Sequence, residues 1–407
     1  MPNRLGESFA KALTVRRLRV HAALIAMALW SVFLWDYSTP GLIDRNGLLK
    51  GTDFLHFYTI GTLVREGHSA QLYDIYAQVE LEAEKVPAAG GLVYAPFYGP
   101  QVALLFSPLA ALPYGEALLA WLLINAVLYT TCCWLVWRKC AALQNDPRTV
   151  VLCALAFPAF FHLLMWGQTS GLALACFTLT FLALQRHNNF AAGLAFGLLF
   201  FKPQLGLGGF LIFLLAGEWR ILAGVSITAA LQLVIAWACF GSAVVSDYFR
   251  HLLDAPFHLG LLEPKLYQLH SLAGFWQLLC RWPRIAAAGY MLSAVVVVAL
   301  AFRAWQGARS LEVRFAALLL ASVLVAPHLT IYDLVILAPA FLLLANWLAR
   351  EYGPTIRILL YLCFVLPLAG PLARWTHVQL TVLAMAFLLY LLEKQARSDG
   401  SALRTKS

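Results

Sequence analysis

Apolar runs, many approaching the length of a bilayer crossing, leave this chain few folds to choose from. One of them, 285–303, has no charged side chain before Arg303. A helix that crosses a bilayer needs about 20 such residues. A first run covers roughly 20–36, and further runs lie at about 114–137, 149–165, 169–185, 190–201, 204–216, 219–240, 285–303, 313–326, 334–349, 356–371 and 376–392. Of 407 residues, 61% are apolar and only 12% charged, where an ordinary soluble chain carries about 25%. A soluble fold has too little polar surface here, so the expectation is an all-α polytopic membrane protein with about 12 transmembrane helices. Several runs are short, which suits tilted or broken helices around a cavity.

Charge sets the orientation. Arg4, Lys11, Arg16, Arg17 and Arg19 precede the first run, and no small-residue cleavage site follows it, so it reads as a retained span. The positive-inside rule places residues 1–19 in the cytoplasm as a basic tail, with a second cytoplasmic tail at 393–407. The part between, 20–392, forms a single transmembrane domain. The net charge of +9 belongs to residues flanking spans, which fits orientation and gives no reason to expect nucleic acid. The eight cysteines show no pairing or zinc spacing, and most sit in apolar runs as small buried residues.

Two long segments then face the outside, 37–112 and 241–284. Within the first, Phe54, Phe57, Ile60, Gly61 and Val64 recur at helical spacing, so 53–65 is expected as a helix ended by Gly67. A second helix is expected from Asp74 to Lys85, and Pro87–Gly91 as a turn. The stretch 94–112 is rich in Pro and Gly. Charge balance across the membrane favours a re-entrant or surface-lying helix there over a crossing.

Asp53 starts the first of these helices. It is read either as a catalytic base or as an ordinary first-turn carboxylate favoured by the helix dipole. Lys202, between Phe200-Phe201 and Pro203, is a cation at a span end. It is read as a phosphate contact or as a side chain snorkelling to the head groups. His328, in Ala-Pro-His-Leu-Thr, has Asp333 a turn later to fix its tautomer, or caps the interface. Gln168 offers a sugar-hydroxyl contact or a helix cap. Tyr58 follows Asp53 by five residues, about 500° around a helix, and shares its face only loosely. Weaker candidates are His56, expected to point to solvent, Tyr94, and Arg250 and Lys265 in the second external segment. No Gly-rich phosphate loop and no nucleotide-binding domain is evident.

An ordered set of landmarks resembles a known family. The set runs from Asp53, Phe54 and Tyr58 through Gly67 and Leu72-Tyr73-Asp74 to Tyr94-Ala95-Pro96. It continues with Ser107-Pro108-Leu109, Trp121, Asn125 and Gly167-Gln168. Ala192-Gly193, Gly197, Lys202-Pro203 and Ala326-Pro327-His328 complete it. This set is similar to the C-type glycosyltransferases, most closely the polyprenyl-phosphate-mannose-dependent mannosyltransferases of glycosyltransferase family 87. The resemblance implies a multi-pass cell inner membrane enzyme that acts at the periplasmic or external face. It also implies a polyprenyl-phosphate sugar donor, a glycolipid or glycan acceptor, contact with membrane lipids, and inversion at the sugar carbon. C-type enzymes often carry a pair of first-loop acids, whereas Asp53 stands alone after Gly51-Thr52.

The chemistry fits one carboxylate. A glycosidase needs two because its leaving oxygen must be protonated. A phosphate leaves without a general acid, so one base suffices. Asp53 is the expected base, with Lys202, His328, Tyr58 and Gln168 toward donor phosphate or sugar. No cofactor is expected, and a divalent metal between Asp53 and substrate phosphate stays open. So do other carrier-linked sugars (arabinofuranose, galacturonic acid or glucose), a secondary transporter, and a membrane scaffold protein.

Overall fold

The computed structural model describes residues 13–95, 97–262, 265–351 and 353–404, without the side chains of 255–262 and 399–404. Most of the basic tail, with Arg4 and Lys11, and Pro96 of the Tyr-Ala-Pro landmark lie outside the described residues. The described chain is helical throughout, and its only β pairings are two isolated bridges, Ile43 with Leu49 and Leu269 with Thr330.

Helix α1 (Val15–Tyr37) is the first span, and only 11% of its apolar window is buried. Next come α2 (Thr52–Arg65), α3 (Ile75–Lys85), the six-residue α4 (Gln101–Phe106) and the 24-residue α5 (Tyr114–Trp137). On α5, Leu119, Leu123 and Val127 form an exposed stripe at four-residue spacing. Such a stripe would be a liability in water and is at home against lipid tails. A bent pair follows, α6 (Pro147–Leu155) and α7 (Pro158–Trp166), with 44° between them. Pro158 at the break cannot donate to the preceding turn. Helices α8 (Ser170–Gln185), α9 (Asn189–Gly197) and α10 (Leu207–Leu215) are short.

Helix α11 (Trp219–Leu262) breaks at Gly241, whose φ of 79° lies outside the helical region. Then come α12 (Leu272–Leu279), α13 (Pro283–Gly307), α14 (Leu311–Val325), α15 (Ala338–Leu348), α16 (Pro354–Val365), α17 (Ala373–Thr376) and α18 (Leu380–Arg404). Six described helical stretches are long and apolar enough to cross a membrane, or seven if the bent pair counts as one. The expected spans at 169–185, 190–201, 204–216 and 313–326 hold shorter helices, and the last, at 376–392, falls within the 25-residue α18.

The described residues of 94–112 hold α4 and a 3-10 turn, Leu109–Ala111, each far too short to cross. The segment 241–284, expected as a loop, is largely helix. The part of α11 after Gly241 lies against the stretch between α2 and α3, with the His251 ring stacked on Tyr73 at 5.4 Å and Tyr248 fully buried beside them. The expected boundaries near α2 and α3 hold. Asp74 caps α3 by accepting from the Tyr76 and Ala77 amides, and Gly67 turns the chain with φ 79° after α2.

Helices α2 and α3 meet through buried polar groups. The Thr59 hydroxyl lies 3.0 Å from Glu82 Oε1, while Oε2 of the same carboxyl has no partner. Burial pushes the Glu82 carboxyl up from 4.5 to about 7, so the neutral form is favoured in the fold. The folded pKa exceeds the unfolded one. The stability this group contributes is therefore full below pH 4.5 and fades as pH rises through about 7. Thermal melts of the detergent-solubilised protein between pH 5 and 8 are expected to show stability falling with pH. The Glu82→Gln variant is expected to flatten that slope, and an unchanged slope would remove Glu82 as its source.

Candidate active site

The site is assembled where the first turn of α2 meets the turn between α7 and α8. Gly51 precedes α2 with φ 61°, a conformation that glycine adopts without cost. The Tyr114 hydroxyl lies 2.8 Å from the Lys50 carbonyl and 3.0 Å from that of Gly51, and Tyr94 donates to the Thr52 carbonyl at 2.5 Å. Three aromatic or backbone anchors thus hold the residue that follows them, Asp53. On the other side, Gly167 ends α7 with φ 67°, and an added Cβ would stand 2.7 Å from Phe54 Cβ. Trp121 donates to the Gly167 carbonyl at 2.9 Å, and Asn125 to the Gln168 carbonyl at 3.1 Å. The landmarks Trp121, Asn125 and Gly167-Gln168, spread over the sequence, are therefore one structural device.

That device aims Gln168 at Asp53. Its Nε2 donates to Asp53 Oδ2 at 2.7 Å and lies 3.2 Å from the Tyr332 hydroxyl. Its Oε1 accepts from Tyr98 at 3.4 Å and from the Thr169 amide at 3.2 Å. Gln168 is 6% exposed and Asp53 half-buried. The amide fixes one carboxylate oxygen by a charge-assisted hydrogen bond without adding charge.

Behind Tyr332 lies an ion pair sealed from solvent. Lys202 Nζ is 2.6 Å from Asp333 Oδ1, at 4% and 1% side-chain exposure. Ser170, the first residue of α8, donates to the same oxygen at 2.5 Å. Asp333 Oδ2 accepts from the Thr330 amide at 3.2 Å and lies 3.3 Å from its hydroxyl, closing a capping box on the 3-10 segment Ile331–Leu337. Lys202 Nζ also stands over the Tyr332 ring at 5.3 Å, a cation–π distance. The Asp333 oxygens are thus taken up by Lys202, Ser170 and Thr330. From sequence Asp333 is expected to orient His328; in the structure it anchors the lysine. His328, half-buried, enters this segment two residues before Thr330.

Other expected positions fall differently. His56 is buried to 3%, not turned to solvent. Its ring lies among Phe57, Tyr94 and Tyr98 with neither nitrogen bonded, and burial lowers its pKa from 6.5 to about 4. The α2 face that carries His56 is covered by Tyr94 and Tyr98, which periodicity alone does not reveal. The Tyr58 hydroxyl is spent on the Leu112 carbonyl at 3.0 Å and its ring packs on Phe54 and Tyr114, so it braces α2 and does not reach toward Asp53's partners. Tyr94 supports the Asp53 turn from its backbone side. Burial and the Asp53 charge raise its phenol pKa. Arg250 is exposed and paired with Asp247 at 3.0 Å. Lys265 sits over the Trp166 ring at 5.9 Å, next to the turn that carries Gln168. Sequence reasoning did not single out Tyr98, Ser170 or Thr330, since a tyrosine or hydroxyl residue in an apolar chain carries no spacing signal. Among the described residues no group of three His, Cys, Asp or Glu side chains gathers to hold a metal.

Removing one partner of the buried pair leaves the other charge without compensation, a loss of about 3–5 kcal/mol, whereas replacing both by apolar groups is often near neutral. Lys202→Ala is expected to lower the melting temperature sharply. The double variant Lys202→Met with Asp333→Leu is expected to recover most of that loss. Equal destabilisation by single and double variants, in melts of purified protein, would contradict the pairing.

A family model for glycosyltransferase family 87 matches residues 97–327, more than half of the chain. Tyr98, Gln168, Ser170 and Lys202 fall inside the match, while Asp53 precedes it and His328 to Asp333 follow. No curated protein and no solved structure matches the chain. The helical membrane architecture and the family match lead to one conclusion: this chain belongs to glycosyltransferase family 87 and is a glycosyltransferase.

Proposed function

We propose that the enzyme moves a hexose, in our reading mannose, from a polyprenyl-phosphate donor to a glycolipid or glycan acceptor, with inversion, at the external face of the cell inner membrane. Membership of the family sets the carrier and scaffold readings aside. The observation that carries the mechanistic reading is the 2.7 Å hydrogen bond from Gln168 to Asp53, made at the edge of a buried charge cluster. A carboxylate so held is an oriented base.

In this reading the acceptor hydroxyl oxygen attacks the anomeric carbon from the face opposite the phosphate. Its proton passes to Asp53 as the new carbon–oxygen bond forms. The bond from the anomeric carbon to the phosphate oxygen breaks, and its electron pair leaves on the polyprenyl phosphate. Positive charge grows on the sugar ring and negative charge on the phosphate, so fixed groups of opposite sign stabilise both. We assign His328 and Lys202 to the phosphate side. Lys202 also carries the charge of its pair with Asp333. We read Gln168, whose amide bridges Asp53 and Tyr332, as the residue that orients Asp53 on the sugar side. The donor tail needs an apolar surface, and the exposed aliphatic faces of the spans supply one.

The test compares wild type with Asp53→Asn in membrane vesicles supplied with labelled polyprenyl-phosphate-mannose and a lipid extract from the source cells. Loss of a general base is expected to lower transfer by about 10²–10⁴-fold, with the variant melting like wild type. Transfer by Asp53→Asn at near wild-type rate would remove Asp53 from the mechanism. Transfer from arabinofuranose, galacturonic acid or glucose carriers, but not from the mannose carrier, would replace the sugar and keep the rest.

A further inference from the structure

A cavity lies far from Asp53. It measures about 430 Å³ and is bounded by the first turns of α1, the last third of α5, and one side each of α6, α15 and α16. Leu18 of α1 lines it, whereas Tyr37 at the other end of the same helix bonds the Met165 carbonyl close to the Gln168 turn. The two sites are thus roughly 30 Å apart along one helix, at opposite ends of the bundle. The walls are apolar and only partly covered, with Ala154, Phe341, Ala345, Leu360 and Phe364 all half-buried among side chains of the same kind. The volume is in the range of small-molecule sites.

The mouth is charged, and its sign is fixed. Its acid, Asp146, is already taken: Arg19 pairs with it at 2.8 Å, and Thr149 donates to it at 2.5 Å. Arg357 lines the same mouth, exposed, with its guanidinium 3.3 Å from the Leu348 carbonyl and no carboxylate partner among the described residues. Arg16 and Arg148 stand exposed in the first turns of α1 and α6 at the same end. A partly open apolar groove, with one guanidinium at its lip that has no carboxylate partner among the described residues and more cations nearby, matches an amphiphile with an acyl tail and an anionic head. We infer that the groove holds one acyl chain of an anionic glycerophospholipid from the leaflet on the basic side, its phosphate set against Arg357. The site is separate from the transfer site and does not depend on the donor assigned above.

Purified full-length enzyme in mild detergent would be titrated with phosphatidylglycerol or with phosphatidylcholine of the same chains. Bound lipid would be counted by native mass spectrometry and stability followed by melting. One phosphatidylglycerol per chain is expected, favoured over phosphatidylcholine by about fivefold, as one surface cation near an anionic head is worth about 1 kcal/mol. Arg357→Gln is expected to remove that preference. Ala345→Phe, which fills the groove, is expected to abolish the bound lipid, and Ala154→Phe does the same job should the first variant fail to fold. Equal retention of the two lipids by wild type would overturn the assignment. So would full phosphatidylglycerol retention by a folded groove-filled variant. A rise in lipid binding on deleting residues 2–12 would also overturn it, since that segment would then be the natural occupant.

Discussion

Lys202 and Asp333 are the pair on which the rest of the catalytic end depends. Taking two charges out of water costs several kcal/mol per ion, and their attraction offsets this only where the remaining lone pairs are satisfied. Here they are. Ser170 and Thr330 complete the carboxylate, and a tyrosine face covers the ammonium. The pair joins residues 131 apart in sequence, and Ser170 brings in a third segment, 163 residues from Asp333. Tyr332 is the immediate neighbour of Asp333, so fixing the carboxylate also fixes the ring whose hydroxyl lies 3.2 Å from Gln168. The orientation of Asp53 is in this way tied to a charge pair it does not touch.

The second support is aromatic. Phe54, Phe106, Tyr114 and Trp121 pack ring to ring beneath the first turn of α2. Their polar tips do separate work. Trp121 holds the Gly167 carbonyl and Tyr114 the carbonyls before Asp53. A tryptophan or tyrosine buries a large apolar body while its one polar atom finds a backbone partner. That is how an apolar chain builds a rigid polar corner with few charged residues.

Much of this was legible in the sequence, and the reasons for the rest are physical. Long apolar runs, Asp74 as a cap and Gly67 as a stop depend on local rules, and the structure follows them. Asp53, Lys202, Gln168 and Asp333 announced themselves as polar residues at span ends, where a polar group needs a reason to be. Their pairing did not, because contact between residues 115 or 131 apart leaves no periodic trace. His56 shows the limit most clearly. Helical periodicity gives a residue's angle around α2, but the cover over that angle comes from Tyr94 and Tyr98, on a stretch with no regular pattern. The short spans posed the same problem. The apolar runs at 190–201 and 334–349 were visible, but not that each would be split between α-helix and 3-10 helix.

That splitting is informative about where chemistry can sit. Irregular backbone is tolerated at membrane depth only where it is buried in protein or lines a cavity, since lipid offers no hydrogen bonds. The 3-10 segments Leu198–Phe201, Pro203–Leu205 and Ile331–Leu337 converge on Lys202 and Asp333. The span containing Ile331–Leu337 is buried over 78% of its length, against 11% for α1. The broken span around Ile331–Leu337 is therefore kept inside beside the regular helix α14, whose residues from Phe315 to Val325 are all buried, whereas α1 has exposed residues along most of its length. A regular α-helix points its side chains outward and uses its own backbone groups internally, so it offers little to a substrate. Breaking it at the centre of the bundle turns side chains such as Lys202 and Tyr332 toward one another and toward Gln168. The shortness that made these runs poor spans is thus the feature that lets them form a site.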